Sequence, residues 1–352
     1  MILSSHTPDE ETKPKGKAKK VVKPDLISKL VDAQTDDTLD SLELRPQRLS
    51  DYIGQEKLKK QLQLIIDSAK IREKLPEHVL FYGQPGLGKT TLGSLISSEI
   101  KANFKVITAP SLQRVGDLIS MLLNLEANTV LFIDEIHRLK APLEETLYSA
   151  MENSQVDLIM GKGHGISSTR IDLPPIMFVG ATTQLGKVSK PLKDRFPSVF
   201  RIEPYNDSEI LELIDRNCKI LKLKIDDEAK LVICRRCRGV PRITNNILKR
   251  LLDYQVVHHI KSISKPDALE FLEDLGIYEK GLTKADIGYL EALLDTTLGL
   301  KTLGGVLLEE TETLELVTEP YLIHLGYVDK SSGGRSLTPK GREFITKFKG
   351  FK

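Results

Sequence analysis

The sequence predicts an α/β fold, in which a parallel sheet surrounds a phosphate-binding loop and is followed by a small all-helical domain and a C-terminal winged helix. Three observations carry this reading. Gly83-Gln84-Pro85-Gly86-Leu87-Gly88-Lys89-Thr90 matches G-x-x-x-x-G-K-[ST] between an apolar run at 78–82 and a helical pattern at 91–100. Apolar runs and helical patterns then alternate as far as Ile202, the rhythm of a parallel sheet with helices on both faces. Strand signal then stops until Gly326, where two short runs flank the turn Ser331-Ser332-Gly333-Gly334.

The loop predicts a nucleoside triphosphate site. Its glycines let backbone N–H groups turn toward phosphate oxygens, Lys89 brings a point charge to the β- and γ-phosphates, and Thr90 offers a hydroxyl to Mg²⁺. A chain of 352 residues, 40% apolar and 28% charged, can bury two or three cores. Its net charge of +2 argues against a protein coated uniformly with nucleic acid, so any basic surface must be local. No apolar stretch approaches the length of a membrane span and the N-terminus lacks a secretory core, so no membrane partner and a cytoplasmic location are expected. Cys218, Cys234 and Cys237 are too few for a disulfide framework, and Cys234 and Cys237 read as buried thiols of a helix rather than zinc ligands.

In chain order, residues 1–38 form a lysine-rich tail with few apolar anchors, expected to be disordered, and either a solubilising segment or a non-specific DNA-contacting arm. A large domain is expected over 39–204. An aperiodic stretch leads into a helix at 56–71, with Leu58, Leu62, Ile65, Ile66 and Ala69 on one face. Strands are expected at 105–108, 129–133, 176–180 and 198–202, with helices around 116–125 and 142–151. The run at 129–133 ends in Asp134-Glu135, which places two acids at the carboxyl edge of the sheet, where open α/β folds bind ligands. Asp134 suits Mg²⁺ coordination through water, and Glu135 suits polarisation of an attacking water. Residues 155–174 read as two alternating runs around a glycine-rich turn, a β-hairpin whose exposed apolar residues call for a partner.

A small helical domain is expected over 205–277, opened by the capping box Asn206-Asp207-Ser208-Glu209. His258-His259 within it reads as a solvated pair, since adjacent helix residues point apart. The last domain, 278–352, has a second capping box at Thr283-Lys284-Ala285-Asp286, two further helical patterns at 303–308 and 313–325, and the hairpin. Three helices and a hairpin make a winged helix, with Thr338 and Pro339 placed to start a final helix. Lys330, Arg335, Lys340 and Arg342 concentrate positive charge at and beyond the wing, so Lys330 and Arg335 are candidate DNA-backbone contacts, against the alternative of a solvated basic face.

Taken together, Leu44-Arg45-Pro46, Asp51-Tyr52-Ile53-Gly54-Gln55, Gly86-Leu87-Gly88-Lys89-Thr90-Thr91, Asp134-Glu135-Ile136-His137-Arg138-Leu139, Gly161-Lys162-Gly163, Gly180-Ala181-Thr182-Thr183, Asp194-Arg195-Phe196 and Gly239-Val240-Pro241-Arg242 resemble the RuvB family of AAA+ motors. The likeness runs from about residue 42 to 345 with the motifs in family order. It implies an AAA+ ATPase domain, an AAA+ lid and a winged helix. It also implies ATP and Mg²⁺ as cofactors, a homo-hexameric ring, and branch migration of four-way junctions on duplex DNA. By the same resemblance Thr183 is a γ-phosphate sensor, Arg195 an arginine finger for the neighbouring subunit, and Arg242 a second sensor on the lid. Leu44, Arg45, Tyr52 and Ile53 line one wall of the adenine pocket and Tyr205 stands across the domain junction; Gly86, Gly88, Lys89, Thr90 and Thr91 hold the phosphates. The hairpin at 155–174 would dock a RuvA-like junction-binding protein, and a RuvC-like resolvase is a further possible partner. The chain departs from the family pattern at Gln184 and Pro197, where Arg and Gly are usual, and has Thr311 and Gly333 where the family carries wing-domain arginines, which implies a weaker DNA grip.

Overall fold

A computed structural model of the chain describes residues 44–160 and 167–350. The lysine-rich tail, the turn of the 155–174 hairpin and the side chains of Leu158, Ile159 and Met160 lie outside the described residues, so the readings of a disordered tail and an apolar hairpin tip are untouched by it.

Helix α1 (Glu56–Ile71) buries Leu58, Leu62, Ile66 and Ala69 and leaves Ile65 half-exposed. Strand β1 (Val79–Tyr82) runs into the phosphate loop and α2 (Lys89–Glu99). Then follow β2 (Asn103–Thr108), α3 (Val115–Leu123), β3 (Thr129–Asp134) and α4 (Ala141–Asn153). The hairpin β4 (Gln155–Met160) and β5 (Ser167–Asp172) interrupts the alternation before β6 (Ile176–Thr182), α5 (Lys190–Lys193) and β7 (Ser198–Arg201).

The main sheet has the order β2-β3-β6-β1-β7, and every pairing is parallel. Parallel pairing sends all carboxyl ends to one edge. The strand order sets the end of β6 between the ends of β3 and β1. Val130 to Ile133 and all of β6 are buried, as continuous apolar runs covered on both faces require.

The all-helical part comprises α6 (Asp207–Leu221), α7 (Asp227–Arg236), α8 (Pro241–Val257) and α9 (Lys265–Asp274). Asn206 and Glu209 form the expected reciprocal cap on α6. Cys218, Cys234 and Cys237 are free, buried thiols, and burial pushes the first two up to about 11 and Cys237 up to about 12.

The last part holds α10 (Lys284–Ala292), capped by Thr283 and Asp286, α11 (Leu300–Leu307), a short α12 (Thr311–Thr313), α13 (Glu319–His324), the wing β8 (Val328–Ser331) and β9 (Gly334–Leu337), and α14 (Pro339–Gly350). A single helix was expected across 313–325. The chain is helical from Thr311 to His324, with one π-helical turn, Leu314–Thr318, between α12 and α13, next to Pro320, which has no N–H to continue the α-helical ladder. Thr338 caps α14 as expected, its hydroxyl accepting from Gly341 N at 3.0 Å.

Candidate active site

The loop between β1 and α2 is held too tightly for side chains at two of its glycines. Gly86 and Gly88 have φ of 79° and 97°. A Cβ on Gly86 would lie 2.9 Å from both Val240 and Arg242, and one on Gly88 would lie 2.7 Å from the Tyr52 hydroxyl. The loop is therefore clamped between the segment ahead of α1 and the start of α8. Lys89 folds back over it, donating to Gly83 O and Gln84 O at 2.9 Å each. Burial pulls the Lys89 pKa down, while Asp134 and Glu135 oppose that shift. Thr90 and Thr91 occupy the first turn of α2, where free N–H groups and the helix dipole favour an anion.

Asp134 ends β3 and accepts from Glu135 N at 2.9 Å; burial raises its pKa. Glu135 adopts left-handed backbone, φ 49°, an uncommon conformation for a residue with a Cβ, which points to a site held in place by its surroundings. The Thr183 hydroxyl donates to Glu135 Oε2 at 3.2 Å, and His137 Nδ1 lies 3.1 Å from the same oxygen. His137 Nδ1 is also 2.9 Å from the Thr182 hydroxyl, which accepts from Gln184 N at 3.0 Å. A carboxylate only accepts, so the proton on this side of the ring belongs on Nδ1. Burial lowers the His137 pKa and favours the neutral ring. His137 and Thr182 stand inside the sequence motifs, but nothing in their spacing showed that Thr182 would meet the ring of His137 beside Glu135; the pairing of β3 with β6 brings them together.

Arg242 reaches the loop from α8. Its backbone N–H donates to Gly86 O at 3.3 Å, and its charge is felt at both Lys89 and Asp134. Tyr52 donates to Leu87 O at 3.2 Å and meets Tyr205 with ring centroids 6.5 Å apart. Burial pushes Tyr52 up to about 12 and also raises Tyr205. Leu44 is buried with its carbonyl accepting from Arg216 at 2.9 Å, while Arg45 and Ile53 are half-exposed. Of the residues expected to hold nucleotide, Tyr52 and Arg242 contact the loop directly, Asp134 and Glu135 act on Lys89 electrostatically, and Thr183 joins them through Glu135, whereas Arg195 is engaged elsewhere. Arg195 donates from Nη2 to Glu152 Oε2 at 2.8 Å and lies 5.7 Å from the Tyr148 ring centroid, with its Nε buried and without an acceptor among the described residues. Glu152 and Tyr148 carried no sequence signal for this role.

The wing corrects one expectation. Arg335 is buried, 8% exposed, and its guanidinium forks onto the buried carboxylate of Glu319. Its burial and the fork of Nε and Nη2 onto Glu319 make it a core residue of the wing rather than an outward basic side chain. Lys330 is exposed and pairs with Glu315 at 2.7 Å. Lys340 and Arg342 donate to the carbonyls of Leu325 and Leu294, so the basic cluster is not a free patch.

Family comparison matches residues 44–202 to the Holliday junction DNA helicase RuvB P-loop domain, 205–278 to the RuvB AAA lid domain and 279–346 to the RuvB C-terminal winged helix domain. The chain is 42% identical over 308 residues to the Holliday junction branch migration complex subunit RuvB of Fusobacterium nucleatum, covering 86% of this chain and 93% of that one. It is 41% identical over 333 residues to the subunit of the same name in Staphylococcus saprophyticus, covering 93% and 100%. It is also similar to the Thermotoga maritima RuvB Holliday junction branch migration motor, with 38% identity, TM-score 0.77, and coverage of 86% of this chain and 98% of that structure.

Proposed function

The chain belongs to the RuvB family, and from that premise we propose that it is an ATP-driven motor for branch migration of Holliday junctions in recombination and DNA repair. The observation that carries this reading is the convergence of Lys89, Asp134, Glu135, Thr183 and Arg242 on one loop, in a chain that also carries a winged helix. A switch of the clamp-loader kind would use the same ATPase without the winged helix, and a winged-helix regulator would have no use for the 155–174 hairpin.

The residues divide the chemistry as follows. The N-terminus of α2 and Lys89 bind the triphosphate, Lys89 exchanging the loop carbonyls for phosphate oxygens. Mg²⁺, when bound, would neutralise charge on the phosphates, and the Thr90 hydroxyl and Asp134 carboxylate are the groups that would hold it. The donor set fits a hard cation that keeps most of its water. Glu135 takes the proton of the attacking water, and Thr183 and His137 fix the direction of its carboxylate. Arg242 reports the phosphates to the lid. Tyr52, Ile53, Leu44 and Arg45 face the base from one side and Tyr205 from the other. Thr91 supports the phosphates from the same turn as Thr90.

Arg195 serves the nucleotide of the next subunit in a homo-hexameric ring, where a planar guanidinium meets the spread charge of the transition state. The hairpin docks a RuvA-like protein, a RuvC-like resolvase can act on the same junction, and the location is cytoplasmic. The domain limits proposed are 39–204, 205–277 and 278–352, preceded by the 1–38 tail. The test is branch migration of a synthetic four-way junction by the full chain with ATP, with and without the cognate RuvA. ATP-dependent migration that needs RuvA is expected; nucleotide hydrolysis with no junction movement under either condition would overturn the reading.

A further inference from the structure

One stretch of seven residues, 236–242, touches both the phosphate loop and the winged helix. At its far end Arg242 N donates to Gly86 O at 3.3 Å, and Val240 packs against the same glycine. In its middle Gly239, at φ 67°, accepts from Tyr205 N at 2.9 Å, and a Cβ there would strike Tyr205 O at 2.5 Å. At its near end the contacts turn the other way. Arg236 donates to Ile277 O at 2.9 Å. Arg238 donates from Nε to Gly281 O at 2.8 Å and from Nη2 to Asp286, and its guanidinium lies 4.2 Å from the Tyr321 ring centroid. Tyr321 in turn donates to Lys280 O at 2.6 Å.

The chemistry of this joint is stiff. Arg238 is held by a carbonyl at Nε, a carboxylate at Nη2 and an aromatic face, three partners that fix the plane of its guanidinium. Asp286 is 3% exposed and at the same time caps α10 through Thr283 N and Oγ1, so the ion pair is anchored to the first helix of the winged helix. Gly281, at φ 71°, admits the chain where a Cβ would meet Arg236 O at 2.4 Å. A shift of Arg242 and Val240 with the phosphate loop therefore moves Arg238, four residues away, against groups of the winged helix. Nothing along the segment offers a slack linker.

We propose that residues 236–242 transmit nucleotide state to the DNA-binding domain, with Arg238 as the positioning residue that locks lid to winged helix through Asp286 and Tyr321. The proposal rests on the reading of the loop as the nucleotide site and of the winged helix as a DNA-binding domain. Coupling between two sites is reciprocal and commonly changes affinity by roughly 5- to 150-fold.

The test uses the full chain as wild type, Arg238→Lys and Tyr321→Leu. Arg238→Lys keeps the charge but loses the fork and much of the stacking; Tyr321→Leu leaves the ion pair and removes the aromatic face. Binding of a fluorescently labelled duplex is measured by anisotropy with a non-hydrolysable ATP analogue and with ADP, alongside ATP hydrolysis without DNA. In both variants the ratio of the two duplex affinities is expected to fall to within about twofold of one, well below the usual range of a coupled pair. Duplex affinity with ADP and DNA-free hydrolysis should stay at the wild-type level. A ratio as large as wild type in both variants overturns the proposal. Loss of DNA-free hydrolysis in step with the ratio also overturns it, since the segment would then be a structural part of the pocket. A wild-type ratio of one would remove the nucleotide and DNA reading underneath, and is distinguishable because it appears before any substitution.

Discussion

Arg335 lays its guanidinium across the carboxylate of Glu319, with Nε 2.7 Å from Oε1 and Nη2 3.2 Å from Oε2, and both residues are buried. Tyr289 donates to the same Oε1 at 2.9 Å. The wing strand β9 is thereby bolted to α13 and α10 from within, and Leu298 pairs with the Arg335 backbone to extend the wing by one bridge.

Removing Arg335 leaves the buried Glu319 carboxylate with Lys330 Nζ at 3.7 Å as its remaining ion-pair partner among the described residues and no fork of donors, so Arg335→Ala should cost about 3 kcal/mol of stability, the low end for breaking a buried pair. The double variant Glu319→Gln, Arg335→Met should recover most of it, since Gln still accepts from Tyr289 and no charge is left buried. Urea unfolding of the three proteins decides this. Equal losses in the single and double variants would mean that packing, not the uncompensated carboxylate, sets the cost. Lys330 remains the exposed wing candidate, and Lys330→Ala should lower the slope of log affinity against log salt for duplex DNA by about one.

At the phosphate loop, Lys89→Ala should lose nucleotide binding, whereas Glu135→Gln should keep ATP and slow hydrolysis by roughly 10²- to 10⁴-fold. In the proposed assignment Lys89 meets ground-state phosphates and Glu135 acts only on the attacking water. Equilibrium binding of a fluorescent ATP analogue, set beside steady-state phosphate release, separates the two. Full turnover in Glu135→Gln would move the base elsewhere.

Arg195→Ala should bind ATP normally as a single subunit and depress hydrolysis out of proportion when mixed into wild-type rings, because an arginine finger contributes roughly 10³–10⁵ in rate. Titrating the variant into wild-type protein at fixed total concentration gives the curve. A loss that simply tracks the mutant fraction would show that Arg195 acts within its own subunit or not at all.

His78 accepts from Phe178 N at Nδ1, 3.2 Å away, and its Nε2 faces Met151 O at 3.3 Å, so it is a neutral ring with its proton on Nε2. Burial lowers its pKa below the ordinary 6.5, against the Met151 carbonyl and Glu77, which raise it. The unfolded chain therefore takes up the proton first as pH falls through about 6.5, and the contribution of His78 to stability is present above that pH and declines below it. The stability gap between wild type and His78→Gln, from urea midpoints at several pH values, should narrow as pH drops from 7.5 to 5.5, about one unit either side of the unfolded pKa. A constant gap would mean that the protonated ring is held equally well.

The sequence by itself determined the elements whose signal is local. A phosphate loop needs glycines at set intervals because only they reach its backbone angles, a strand buried on both faces reads as an apolar run, and a capping box is four residues long; so β1, α2, the Asp134-Glu135 strand end, the caps at Asn206 and Thr283 and the wing were legible from spacing alone. What only the tertiary structure decided was which side chains meet across long separations. Thr183 meets Glu135, and the Thr182 hydroxyl meets His137, because β3 lies beside β6. Arg195 rests on Glu152, and Arg335, which as a sequence position read as surface charge, turns inward because Glu319 on α13 supplies a buried carboxylate. Charge in a sequence has a sign but no direction. Direction comes from packing, which sets whether an arginine's donors face water, a phosphate or another residue of its own chain.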